Sequence, residues 1–133
     1  MGSTQAQAAA EGAEVSESDV VKSCKAYLAL IGALAWRNQT AFLRIEDPKY
    51  GTRVMRQGVR GGADIIGVLP GGRFIAVECK TPPIPGPRGG RRGGKQTEDQ
   101  RAFELEVTRR GGMYVLAHGV EDLKRAIPPG VKL

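Results

Sequence analysis

The stretch Ala63-Asp-Ile-Ile-Gly-Val-Leu-Pro-Gly-Gly-Arg-Phe-Ile-Ala-Val-Glu-Cys-Lys80 decides how the chain is read. Its two apolar runs, 63–69 and 73–80, are rich in β-branched residues and flank Pro70-Gly71-Gly72. A turn that short makes the two runs antiparallel neighbours. Side chains alternate along a strand, so Ile75, Val77 and Cys79 share one face and Phe74, Ala76, Glu78 and Lys80 the other. Glu78 and Lys80 thus end an otherwise apolar strand side by side, where burial without a purpose is costly. Asp64 starts the partner strand, and the tight turn brings it back beside Glu78.

Upstream, Ser16 and Asp19 are placed as a capping box, ahead of apolar residues at Val20, Val21, Cys24, Tyr27, Leu28 and Ile31. This spacing predicts a helix that Gly32 can end. Leu34-Ala35-Trp36 reads as a short strand, with Trp36 expected in the core rather than as a base-stacking platform. Residues 41–45 and 52–56 are expected to form a hairpin around 46–51. Downstream, 81–95 holds four prolines and five glycines, together with Arg88, Arg91, Arg92 and Lys95, and predicts a mobile basic loop. Helical spacing resumes over 96–110, with Phe103, Leu105 and Val107 expected to pack, and Gly111-Gly112 stops it. Residues 113–117 read as a strand and 120–127 as a closing helix. The expected architecture is α/β, a mixed sheet flanked by helices. A tail at 1–15 precedes a single domain at 16–133, a length that suits one core.

Net charge is +6, and it is unevenly placed. The first 19 residues hold four acids and no base, so the remainder carries 20 bases against 10 acids. A basic globular domain suggests a polyanionic partner, nucleic acid before anionic membrane. Cys24 and Cys79 lack metal-ligand spacing and fall at apolar positions, which suits core thiols in a reduced, cytoplasmic setting. The longest apolar run, 26–36, is too short for a bilayer, so no membrane partner is expected. His118, the only histidine, reads as a loop residue.

Converging carboxylates from Asp64 and Glu78 form a hard oxygen site suited to Mg²⁺ or Mn²⁺. Lys80 beside them can hold a phosphate or the attacking water and offset charge building on phosphorus. Such a set suffices for phosphodiester hydrolysis.

The ordered features resemble the D…ExK motif of the PD-(D/E)XK nucleases, and more narrowly the stand-alone VRR-NUC family of phages and bacteria. They are an early helical acid at Glu17, Trp36-Arg37-Asn38, the Asp64…Glu78-x-Lys80 core, and Gln100 in Gln-Arg-Ala-Phe before a Gly-Gly stop. The likeness spans roughly 17–127, although Ala63 stands where the motif usually has proline. It implies a restriction-endonuclease-like core with Glu17, Asp64, Glu78 and the Cys79 backbone carbonyl around the metal. It also implies that Gln100 orients Lys80 or a phosphate; Gln96, one turn earlier, is the rival. The activity implied is a Mg²⁺- or Mn²⁺-dependent endonuclease acting as a homodimer on branched DNA such as a four-way junction. Arg37, Arg53, Arg56 and Arg60 join Arg88, Arg91, Arg92 and Lys95 as expected DNA contacts. The competing readings are a non-catalytic nucleic-acid-binding module and a sequence-specific restriction-type nuclease.

Overall fold

A computed structural model describes residues 15–39, 42–56, 58–83 and 94–131. The expected tail up to residue 14 and most of the expected basic loop, including Arg88, Arg91 and Arg92, lie outside these residues. The elements are α1 (Glu17–Leu30), β1 (Leu34–Arg37), β2 (Phe42–Asp47), β3 (Gly51–Arg56), β4 (Ile65–Val68), β5 (Phe74–Cys79), α2 (Glu98–Arg109), β6 (Met113–Ala117) and α3 (Val120–Ala126).

Four strands form a mixed sheet in the order β1-β4-β5-β6. β1, β4 and β5 pair antiparallel, and β6 joins β5 in parallel after the α2 crossover. The antiparallel turn at 70–72 is as expected, with Gly71 and Gly72 both at positive φ. The architecture is α/β, a mixed sheet flanked by helices.

The core lies on one face of this sheet. There Ile65, Ile75, Val77, Cys79, Val115 and Ala117 meet Val20, Val21, Cys24, Tyr27 and Leu28 of α1 and Leu123 of α3. α1 starts as its sequence indicates, with the Ser16 hydroxyl accepting from Asp19 N–H and the Asp19 carboxylate accepting from Ser16 N–H. Cys24 and Cys79 are buried free thiols. α2 lies across the opposite face on the β6 side, where Phe103 meets Tyr114 edge to face at 6.3 Å between centroids.

Three expectations need correction. Leu105 is exposed, because it lies about 200° around α2 from Phe103 and Val107, which share one face. Trp36 is not a core residue but half exposed, because α2 covers the far side of its sheet face. The hairpin strands run further toward the turn than expected, with pairing continuing to Asp47↔Gly51. The Asp47 carboxylate holds that turn by accepting from Lys49 and Tyr50 N–H. This hairpin is a separate two-stranded sheet inserted between β1 and β4.

Candidate active site

The β1, β4 and β5 registers place Asn38, Asp64 and Glu78 along one row at an end of the sheet. Asn38 fixes the first part of that row. Its backbone N–H donates to the Asp64 carbonyl at 2.7 Å, and its amide Nδ2 donates to the Ala63 carbonyl at 3.1 Å. The Asp64 side chain then takes over where the ladder stops, with Oδ2 accepting from the Cys79 N–H at 2.8 Å. Asp64 is thereby tied to β5 one residue past Glu78, leaving Oδ1 for a ligand.

Glu78 is the only buried charged side chain among the described residues, at 3% exposure. Its Oε1 accepts from Gln100 Nε2 at 2.6 Å and lies 3.4 Å from Lys80 Nζ. Its Oε2 is buried and has no hydrogen-bond partner among the described residues. Burial raises the Glu78 carboxyl first, the neighbouring Asp64 charge raises it further, and Lys80 opposes both, leaving it at about 7. Glu17, exposed in the first turn of α1, is near enough for its charge to add to that rise.

Gln100 reaches the site because α2 begins there. Thr97 caps the helix by accepting from Gln100 N–H, and Gln100 Oε1 accepts from Thr97 N–H at 2.8 Å. One side-chain amide therefore both closes a capping box and grips Glu78. Gly61, at φ +74°, sets the height of this helix end: a Cβ there would lie 2.1 Å from the Asp99 carbonyl oxygen. Gln96 is turned elsewhere, donating to Glu104 Oε1 and the Tyr114 hydroxyl. Of the two glutamines, Gln100 is the one on Glu78.

Lys80 has its aliphatic chain packed near Gly94, where a Cβ would stand 3.3 Å from Lys80 Cδ. Gly94 is held in turn by donating to the Thr81 hydroxyl and by the His118 ring on its carbonyl at 2.9 Å. His118 is thus a structural brace for the return of the loop.

The remaining expected residues are dispersed. Strand alternation puts Arg37 on the face of β1 opposite Trp36 and the carboxylate row. Arg53 pairs with Asp47 at 3.7 Å on the hairpin, and Arg60 pairs with Asp99 at 3.8 Å. Lys95 is exposed. The Arg56 backbone belongs to β3. Sequence reading missed Asn38 and Gly61 as organisers of the site. The Asn that follows Trp36-Arg37 and the Gly61-Gly62 pair before Ala63 were the signals available.

Among the described residues no group of three or more His, Cys, Asp and Glu side chains is gathered as a ready cation cage. What is gathered is Glu78, with one unpartnered oxygen, beside Asp64, with one oxygen left over. Two adjacent carboxylates balanced by one ammonium could hold a hard divalent cation. Among the described residues no helix is long and apolar enough to cross a membrane. No family model, curated protein or solved structure matches the chain.

Proposed function

We propose that this protein is a metal-dependent nuclease of the PD-(D/E)XK type, close to VRR-NUC, that hydrolyses DNA phosphodiesters. The observation that carries the reading is Glu78: a buried carboxylate beside a second carboxylate, with an ammonium and an amide on one oxygen and no partner among the described residues on the other. A fold does not keep such a charge buried for stability, since an apolar residue there would avoid the desolvation cost. The order helix, three antiparallel strands, crossover helix and parallel strand is compatible with the nuclease core.

Asp64, Glu78 and the Cys79 carbonyl would hold Mg²⁺ or Mn²⁺, with Glu17 at the rim. When bound, such a cation activates water and withdraws charge from a phosphoryl oxygen. The chain's own residues do the rest. Lys80 Nζ sits 3.4 Å from Glu78 and meets the scissile phosphate, offsetting charge that grows as water adds to phosphorus and the ester oxygen leaves. Gln100 fixes the Glu78 carboxylate in one orientation, and the Cys79 N–H does the same for Asp64. The basic excess of 20 bases over 14 acids supplies attraction for the phosphate backbone. Branched DNA is the expected substrate and a homodimer the expected assembly, because paired cuts need two such sites about a two-fold axis.

The test is incubation with labelled four-way junction, flap and linear duplex DNA under Mg²⁺, Mn²⁺ or EDTA, with light scattering on the same samples. Cleavage that requires a divalent cation supports the reading. Binding with no cleavage under either cation would instead identify a non-catalytic basic module.

A further inference from the structure

The sheet face that carries the carboxylates is only half covered. α2 lies over its β6 side, whereas among the described residues no helix covers the β1–β4 side: Leu34 is 70% exposed, Trp36 47% and Val68 38%, and Phe74 of β5 at the border is also 38% exposed. The registers align these residues in rows. Trp36 pairs with Ile66, which pairs with Ala76; Leu34 pairs with Val68, which pairs with Phe74. The Trp36 row is the one next to Asn38, Asp64 and Glu78. One strand step across and two residues along separate Trp36 from Asp64, roughly 8 Å between Cα positions.

We propose that Trp36 is a specificity residue: its indole stacks an unpaired nucleobase adjoining the phosphate that Lys80 meets beside Asp64 and Glu78. This rests on the nuclease reading above and names the substrate feature that the site selects. Three observations favour a base as the occupant. A large aromatic left half exposed on an apolar face wants a flat apolar partner, and every base supplies one. The same short run of backbone places the indole and the acid, because Asn38 follows Trp36 by two residues and clamps both Ala63 and Asp64. Chain connectivity supplies cations close by: the hairpin carrying Arg44, Lys49 and Arg53 departs just after Asn38, and Arg60, where the hairpin returns, pairs with Asp99 in the turn that carries Gln100. Cationic tracks interleaved with aromatic platforms are how single strands are held. A paired base has both faces covered by its neighbours in the stack, so Trp36 favours strands that are locally open, as at a flap or a junction.

Trp36 is the sole tryptophan of the chain, so its emission reports this contact directly. The protein in Ca²⁺ is titrated with a single-stranded oligonucleotide, a flap duplex and a blunt duplex. Tryptophan emission and the anisotropy of labelled DNA are followed together. Saturable quenching is expected with the single strand and the flap and little with the blunt duplex. Trp36→Ala is expected to weaken binding to the first two by about 5- to 150-fold, the usual range for one stacked base, with blunt duplex affinity unchanged. Trp36→Phe, which keeps a ring on the strand, is expected to retain most of the preference. Rising anisotropy with unchanged emission, or an unchanged preference in both variants, overturns the stacking role alone. Emission that depends on protein concentration and ignores DNA overturns it too, and identifies a second copy of the chain as the occupant. Absence of any binding overturns the nuclease reading together with this one.

Discussion

Gln100 donates from Nε2 to Glu78 Oε1 at 2.6 Å while its own Oε1 accepts from the Thr97 N–H at 2.8 Å. A helix N-terminus is thereby coupled to the orientation of a buried carboxylate. Gln100→Ala is expected to cost about 1 kcal/mol of stability through the lost cap, and to lower the cleavage rate about tenfold or more by freeing Glu78. Gln96→Ala, which breaks contacts to Glu104 and Tyr114, is expected to leave the rate near wild type. Chemical denaturation and single-turnover cleavage of both variants separate the two effects. Equal rates in the two variants would reject Gln100 as the site glutamine.

Asp64→Ala and Glu78→Ala are expected to abolish cleavage while DNA binding in Ca²⁺ persists, because both changes leave in place the basic residues expected to supply affinity. Binding by gel shift and cutting by product release are measured on the same preparation. Wild-type cutting in either variant contradicts the assigned site.

Lys80→Ala is expected to slow cleavage by 100-fold or more, as for loss of a charge-stabilising donor, with little loss of metal affinity. Removing the cation next to Glu78 leaves the carboxylate uncompensated, so the variant should gain more stability from added Mg²⁺ than the wild type does. Lys80→Arg is expected to rescue only in part, since a planar fork does not replace a compact ammonium at 3.4 Å. Normal rates in a folded Lys80→Ala protein would remove Lys80 from the chemistry.

Glu78 gives the metal-free protein an unusual pH dependence. Its carboxyl stands at about 7 in the fold against 4.5 for a free side chain, chiefly through burial and the Asp64 charge. A raised acid favours folding below the free value, and that contribution is lost as pH climbs through about 7. The loss accrues between about 4.5 and about 7, levels off above that, and totals on the order of 3 kcal/mol at most. Melting curves in EDTA at pH 5, 6, 7 and 8 should therefore fall toward high pH. Glu78→Gln should flatten that slope, and Mg²⁺ should stabilise the wild type more at pH 8 than at pH 5. A variant with the wild-type slope would assign the effect to another group.

Gly61→Ala tests whether the height of α2 matters. The new Cβ would meet the Asp99 carbonyl oxygen at 2.1 Å, on a residue at φ +74°. The helix start must move or the loop must strain, at a cost of about 1–3 kcal/mol. Because Gln100 rides on that turn, cleavage should fall along with stability. Gly51→Ala, also at positive φ but with nothing near its Cβ, is the control and should lose stability without losing rate at a temperature where it is folded.

Local chemistry made much of this legible from the chain alone. The Pro70-Gly71-Gly72 turn, the shared core face of Ile75, Val77 and Cys79 and the Ser16/Asp19 box are decided within a few residues, and they appear in the fold as read. The nearness of Asp64 to Glu78 also followed from the chain, because a tight antiparallel turn leaves no other register. Other relationships depended on elements far apart in sequence. Whether Gln96 or Gln100 faces Glu78 depends on where α2 starts and how Gly61 seats it, a contact between residues 38 positions apart. The chain alone suggests a core Trp36, but coverage is a property of what packs above the strand. Only the tertiary structure decided that α2 lies over β6 and leaves Trp36 open beside the carboxylates.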